Sequence, residues 1–107
     1  QLCMGIPWGA PDDLNTFMAM VNNIPQSWVY SAFSIGRNQM AYVAASVLAG
    51  GNVRVGREDN LWLEKGVLAT NAQLVERAAG IVTKMGVSLM NPDEVRAELK
   101  LVKRMPA

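Results

Sequence analysis

Residues 28–62 read WVYSAFSIGRNQMAYVAASVLAGGNVRVGREDNLW. Trp28 to Ile35 is rich in aromatic and β-branched residues and closes at Gly36, which predicts a buried strand. Met40, Val43, Ala44, Val47 and Leu48 then recur at three- and four-residue spacing, the period of a helix, until Gly50-Gly51 stops it. Asn52–Gly56 returns to a very short strand pattern. Strand, helix and strand in succession predict parallel pairing through a crossover. The second strand runs into Arg54, Arg57, Glu58, Asp59 and Asn60, more charge than a plain connection needs.

The same alternation extends in both directions. Leu2–Ile6 is a short apolar run closed by Pro7-Trp8-Gly9-Ala10-Pro11, so a strand and a turn. Asp12 and Asp13 stand where a helix N-cap and first turn favour carboxylates. Leu14, Phe17, Met18, Val21 and Ile24 supply that helix's apolar face before Pro25 ends it. Thr70 and Gln73 have capping-box form. Leu74, Ala78, Ile81, Val82 and Met85 follow, with Gly86 as the C-cap. Asn91-Pro92-Asp93-Glu94 opens a last helix whose end is expected to be basic, at Lys100, Lys103 and Arg104.

The order is βαβαβαα, an α/β class. Three βα units leave a parallel sheet with uncovered faces and open edges. A TIM (β/α)₈ barrel takes about 250 residues, and three of its eight units come close to the 107 residues here. A small three-stranded open sandwich is the alternative. The chain opens on Gln1 rather than Met, which fits a piece cut from something longer.

Composition narrows the function classes. Half of the residues are apolar, 18% are charged and the net charge is +1. That is too apolar for disorder and offers no basic field for nucleic acid. The longest apolar run, Met40 to Ala49, is too short to span a bilayer. No basic n-region precedes the first apolar run, so no signal peptide is expected. One cysteine, Cys3, excludes an internal disulfide and suits a reducing, cytoplasmic compartment.

In parallel α/β folds reactive groups gather beyond the C-terminal ends of strands, here Pro7–Asp13, Ser34–Gln39 and Arg54–Asn60. Alternation puts Arg54, Gly56 and Glu58 on one face and Val53 and Val55 on the other. If the valines meet the outer helices, Arg54 and Glu58 face the mouth of the barrel. Spacing leaves a structural ion pair and a functional pair equally open, since an inward charge needs a partner either way. Arg57 reads as solvated, and Asp12 and Asp13 as helix caps. Arg37, after Gly36, could meet a phosphate or carboxylate at a helix N-terminus, although an ordinary turn explains it more simply. Trp62 and the methionines read as packing; Trp8, over the mouth, is the better substrate contact. With no histidine in the chain, neither a complete zinc site nor a Ser/His or Cys/His nucleophile can be built. Cys3 lies near the beginning of its strand, away from the reactive end.

Gly50-Gly51-Asn52-Val53-Arg54-Val55-Gly56-Arg57-Glu58-Asp59-Asn60 resembles the last barrel strand of the β-keto acid cleavage enzymes. Gly5-Ile6-Pro7 with Gly9-Ala10-Pro11, Ile35-Gly36-Arg37 with Gln39, and Gly66 to Val75 extend the likeness in the same order. The type member is 3-keto-5-aminohexanoate cleavage enzyme of lysine fermentation. The resemblance implies that residues 1–107 are the C-terminal part of a single TIM-barrel domain, strands six to eight with their helices. It implies conversion of a β-keto acid and acetyl-CoA into acetoacetate and a new acyl-CoA. It further implies a divalent metal, zinc by preference, held by Glu58 here and by two histidines of a His-x-His motif outside this chain. Arg54 and Asp59 correspond to the family's catalytic pair: Asp59 would act as base and Arg54 would keep it ionised. The metal would polarise the keto acid as a Lewis acid. The partners implied are the β-keto acid, a CoA thioester, the rest of the barrel and further copies in a homo-oligomer, with a tetramer the first assembly to test. The chain alone is expected to be inactive. Two rival readings are a non-catalytic α/β module with a structural charged turn, and a phosphate-binding piece of another TIM-barrel enzyme using the Gly36-Arg37 and Gly50-Gly51 turns.

Overall fold

The structure, a computed structural model, describes residues 1–104 and 106. It is built from β1 (Leu2–Met4), α1 (Leu14–Asn23), β2 (Ser31–Ser34), α2 (Gln39–Leu48), β3 (Asn52–Val53), β4 (Trp62–Glu64), β5 (Val67–Leu68), α3 (Asn71–Lys84) and α4 (Pro92–Glu98), with a 3₁₀ turn at Gly36–Asn38. β1, β2 and β3 form one sheet in that order. Both pairings are parallel, with Cys3 opposite Phe33 and Ala32 opposite Val53. Each connection between them carries a helix, the consequence of a parallel sheet needing a crossover.

Strand parity sorts the side chains. Leu2, Met4 and Ala32 pack with Phe17 of α1 and Tyr42 of α2, whose rings meet edge to face at 5.4 Å. Val53 and Val55 pack with Val43 of α2 and with Ala78 and Val82 of α3. The valines thus do meet helices, and Cys3, Phe33 and Arg54 take the opposite parity. α2 lies between both clusters and is buried on two sides, by Gln39, Tyr42 and Ser46 as well as Val43. The apolar stripe in its sequence marked only the side toward α3; Leu48, counted in that stripe, is exposed.

Several boundaries differ from the sequence reading. Trp28 and Val29 are exposed and lie outside the strand, because the Trp28 amide closes a turn on the Pro25 carbonyl. β3 stops at Val53 rather than Gly56. The hairpin of β4 and β5, antiparallel with an irregularity between Trp62 and Glu64, is an addition to the βαβαβαα order, and its sequence carries no two-residue Asn-Gly signal. α3 has both arms of its capping box, between Thr70 and Gln73. α4 ends at Glu98, so Lys100, Lys103 and Arg104 lie beyond it and Arg96 is the cation in its last turn. Lys100 takes φ 53°, and the Leu101 amide bonds the Arg96 carbonyl: a left-handed C-terminal closure ends the helix early.

At Gly51 a Cβ would come within 2.5 Å of the Tyr30 ring and 2.8 Å of the Ser46 hydroxyl, so only glycine lets β3 enter beside α2. No helix among the described residues is long and apolar enough to cross a membrane.

Candidate active site

Beyond the end of β3 the chain makes a turn, with the Asp59 and Asn60 amides both donating to the Gly56 carbonyl at 3.2 Å. Other elements fix this turn. The Gly36 amide donates to the Asp59 carbonyl at 2.7 Å, Gln39 Nε2 donates to the Gly56 carbonyl at 3.0 Å, and the Arg57 amide donates to Asn71 Oδ1 at 2.8 Å. Gly36 has φ 79°, a left-handed conformation that glycine adopts without strain and that helps bring its N–H toward the turn.

The turn carries the candidate residues. Arg54 grips Asp59 with two bonds, Nε to Oδ2 at 2.9 Å and Nη2 to Oδ1 at 3.1 Å. This is the planar two-point match a guanidinium makes with a carboxylate. Nη2 also reaches Glu58 Oε2 at 3.3 Å, and Nη1 donates to Gln1 Oε1 at 2.9 Å. The guanidinium lies 4.3 Å from the centroid of the Phe33 ring, a cation–π contact. The bonds it donates to Asp59 push the Arg54 pKa still higher than its ordinary value, outweighing the desolvation that opposes them. Arg54 is therefore a permanent cation here.

The two neighbouring carboxylates differ in setting. The Asp59 side chain is only 5% exposed, whereas that of Glu58 is 86% exposed. Glu58 owes its place to the turn, not to strand alternation as expected, since the strand has ended before it. Its Oε1 has no hydrogen-bond partner among the described residues, and an outward carboxylate oxygen suits a divalent cation. Glu58 thus fits a single ligand position. No group of three or more His, Cys, Asp or Glu side chains able to hold a metal occurs among the described residues.

The surrounding predicted residues fall out variously. Arg57 is exposed, as expected. Asp13 is the N-cap of α1, accepting from the Thr16 amide at 2.8 Å. Asp12 is not a cap: its Oδ2 accepts from Asn38 Nδ2 at 2.6 Å and from the Ser34 hydroxyl at 3.1 Å, tying the loop after β1 to the end of β2. Those bonds, that from Asn38 foremost, hold the Asp12 carboxyl below its usual range. Arg37 is exposed in the 3₁₀ turn, with no bond to the Arg54 cluster among the described residues. Trp8 is 88% exposed in the turn after β1. Cys3 is closer to the chemistry than its place in the strand suggested, because its thiol feels both Asp59 and Arg54. Burial and then the Asp59 charge push the thiol pKa up, so at neutral pH it stays protonated and is a poor ligand or nucleophile. Trp62, read as packing, is half exposed on β4.

Sequence reasoning missed Gln39, Asn71 and Phe33. Phe33 could have been found, because it shares strand parity with Arg54. Gln39 and Asn71 reach the turn across 17 and 14 residues of chain, and no local pattern announces that.

Fold and site together define a class: an α/β scaffold whose strand ends gather a buried aspartate gripped by a half-buried arginine, and an outward carboxylate. Residues 1–101 match the profile of the β-keto acid cleavage enzymes, and the chain belongs to that family. It is 73% identical over 104 residues to 3-dehydrocarnitine:acetyl-CoA trimethylamine transferase of Rhizobium meliloti, covering 97% of this chain and 35% of that protein. It is 39% identical to the 3-keto-5-aminohexanoate cleavage enzyme of Fusobacterium nucleatum, over 78% of this chain and 31% of that protein. The corresponding enzyme of Acetoanaerobium sticklandii is 34% identical, over 94% of this chain and 37% of that protein. The chain therefore spans about a third of the length of the curated relatives it matches.

Proposed function

We propose that this chain is the C-terminal part, strands six to eight, of a TIM-barrel enzyme that converts a β-keto acid and acetyl-CoA into acetoacetate and a new acyl-CoA. The observation that carries the reading is the two-point Arg54–Asp59 pair beside the outward Glu58, at the end of a parallel strand. The many exposed large apolar side chains, Leu14, Trp28, Leu48 and Val75 among them, fit a surface that the rest of the barrel covers. On this reading the chain alone is inactive.

Asp59 is the base. Arg54 occupies one lone pair on each of its oxygens, and each oxygen keeps another with which to accept a proton. Asp59 takes the proton from C2 of the keto acid, and the resulting carbanion attacks the acetyl thioester and displaces the CoA thiolate. The thiolate adds to C3, the C2–C3 bond breaks, and Asp59 returns the proton to C2 of acetoacetate. Carbon, sulfur and protons balance without an external oxidant or reductant. Arg54 stays charged throughout and fixes the carboxylate plane, and the Gly36 and Gln39 bonds hold the turn beneath it. Glu58 is the one ligand this chain would give to a divalent metal, zinc by preference, which when bound supplies Lewis acidity at the keto acid.

Among the relatives' substrates, identity favours 3-dehydrocarnitine over the acid of lysine fermentation. A cytoplasmic, homo-oligomeric parent belongs to the same proposal. The test is Asp59→Asn in the complete enzyme: acetoacetate formation from acetyl-CoA should fall by roughly 10²–10⁴-fold with metal content unchanged. Normal turnover by that variant refutes the assignment. Glu58→Ala should instead lose metal by elemental analysis.

A further inference from the structure

The β4–β5 hairpin takes no part in the chemistry above. It folds beside the first turn of α2 and the side of α3 and encloses a cleft of about 660 Å³, within the range of small-molecule sites. Met40, Trp62 and Leu63 give it apolar walls, while Arg37, Lys65 and Arg77 stand around it against a single carboxylate, Glu64. None of the three cations is in an ion pair among the described residues. Arg77 is nonetheless held, donating to the Leu63 carbonyl, and its remaining N–H groups are left for another acceptor. Like charges gathered around one apolar cleft repel one another and raise the local concentration of anions.

The cleft adjoins the site. Asn60 lines it and directly follows Asp59 in the chain. Asn60 Nδ2 donates to the Trp62 carbonyl at 2.7 Å, and its Oδ1 accepts from the Trp62 amide at 3.1 Å. These two bonds join the hairpin to the turn that carries Asp59.

We propose that this cleft binds the nucleotide end of the CoA thioester, with the adenine against Trp62 and the phosphates among Arg37, Lys65 and Arg77. Aromatic faces take bases by stacking, and guanidinium forks pair with phosphate oxygens at two points. The pantetheine arm runs past Asn60 to deliver the thioester beside Asp59. The inference rests on the acetyl-CoA reading above and deepens it by assigning the co-substrate a site.

The test is steady-state kinetics on the complete enzyme with acetyl-CoA and with S-acetylpantetheine, which lacks the nucleotide. Arg37→Ala and Lys65→Glu alter exposed side chains and leave the Arg54 cluster intact. Arg37→Ala should raise the KM for acetyl-CoA by roughly tenfold, the loss of one charge-assisted contact, and Lys65→Glu by at least as much, since its carboxylate also repels phosphate. The keto-acid KM and kcat/KM for S-acetylpantetheine should not change. Acetyl-dephospho-CoA, lacking the 3′-phosphate, should be a poorer substrate than acetyl-CoA for the wild type and less so for the variants. Equal losses on both thioesters, or an unchanged acetyl-CoA KM, overturn the cleft assignment while leaving the acetyl-CoA reaction standing. A wild-type enzyme that does not turn over acetyl-CoA overturns the functional reading, and the cleft assignment with it.

Discussion

Replacing Gln39 with leucine pulls stability and activity in opposite directions. Gln39 is fully buried and donates through Nε2 to the Gly56 carbonyl, while its Oε1 has no partner among the described residues. Losing the donated bond removes about 1 kcal/mol. The Gly56 carbonyl is not orphaned, because the Asp59 and Asn60 amides still reach it. Leucine also removes the unpaired oxygen, whose burial costs about 1–3 kcal/mol. It nearly conserves volume, so little cavity opens. The expected net change lies between none and a gain of about 2 kcal/mol. Activity should fall, because the turn bearing Glu58 and Asp59 loses its tie to α2, and a misplacement of about 1 Å costs on the order of 10²-fold. Urea unfolding of the complete enzyme, read as a midpoint shift at constant slope, gives the first quantity; kcat/KM gives the second. Unchanged kcat/KM would refute the positioning role. A stability loss above about 2 kcal/mol would show that Oε1 does have a strong partner.

Thr70→Ala should lower stability by about 1 kcal/mol by removing one arm of the α3 capping box, with Thr70→Ser restoring it in the same denaturation assay. The Asp12 carboxyl is held low by Asn38 and Ser34. Its stabilisation is therefore fully present above its unfolded value of about 3.9 and is lost as the pH falls through its lower folded value. Unfolding midpoints between pH 6 and pH 2 should show less acid destabilisation in Asp12→Asn than in the wild type, and parallel profiles would refute this. If the substrate carries a trimethylammonium group, Trp8→Ala should raise its KM several-fold by loss of a cation–π contact; an equal rise for a keto acid without the cation would remove Trp8 from that role.

The α/β order, the caps at Asp13, Thr70 and Asn91, and the alternation that sends Val53 and Val55 to the helices were all legible in the sequence. Each is decided by neighbours a few residues apart, which a linear pattern records. Family resemblance pointed to Arg54, Glu58 and Asp59, and their spacing alone left ion pair and catalytic site equally open. Several features had no such signature. The inward half of α2 was hidden because a helix wedged between two partners has two buried sides, and apolar counting sees only one. The strand ended at Val53 because the Gly56 carbonyl turns to accept the Asp59 and Asn60 amides and the Gln39 side chain. That turn leaves Asp59 buried against Arg54 and Glu58 turned outward. Sequence fixes which carboxylates are present and that they are adjacent; their opposite environments come from contacts with Gly36, Gln39, Phe33 and Asn71, because burial belongs to the packed assembly and not to any one stretch of chain.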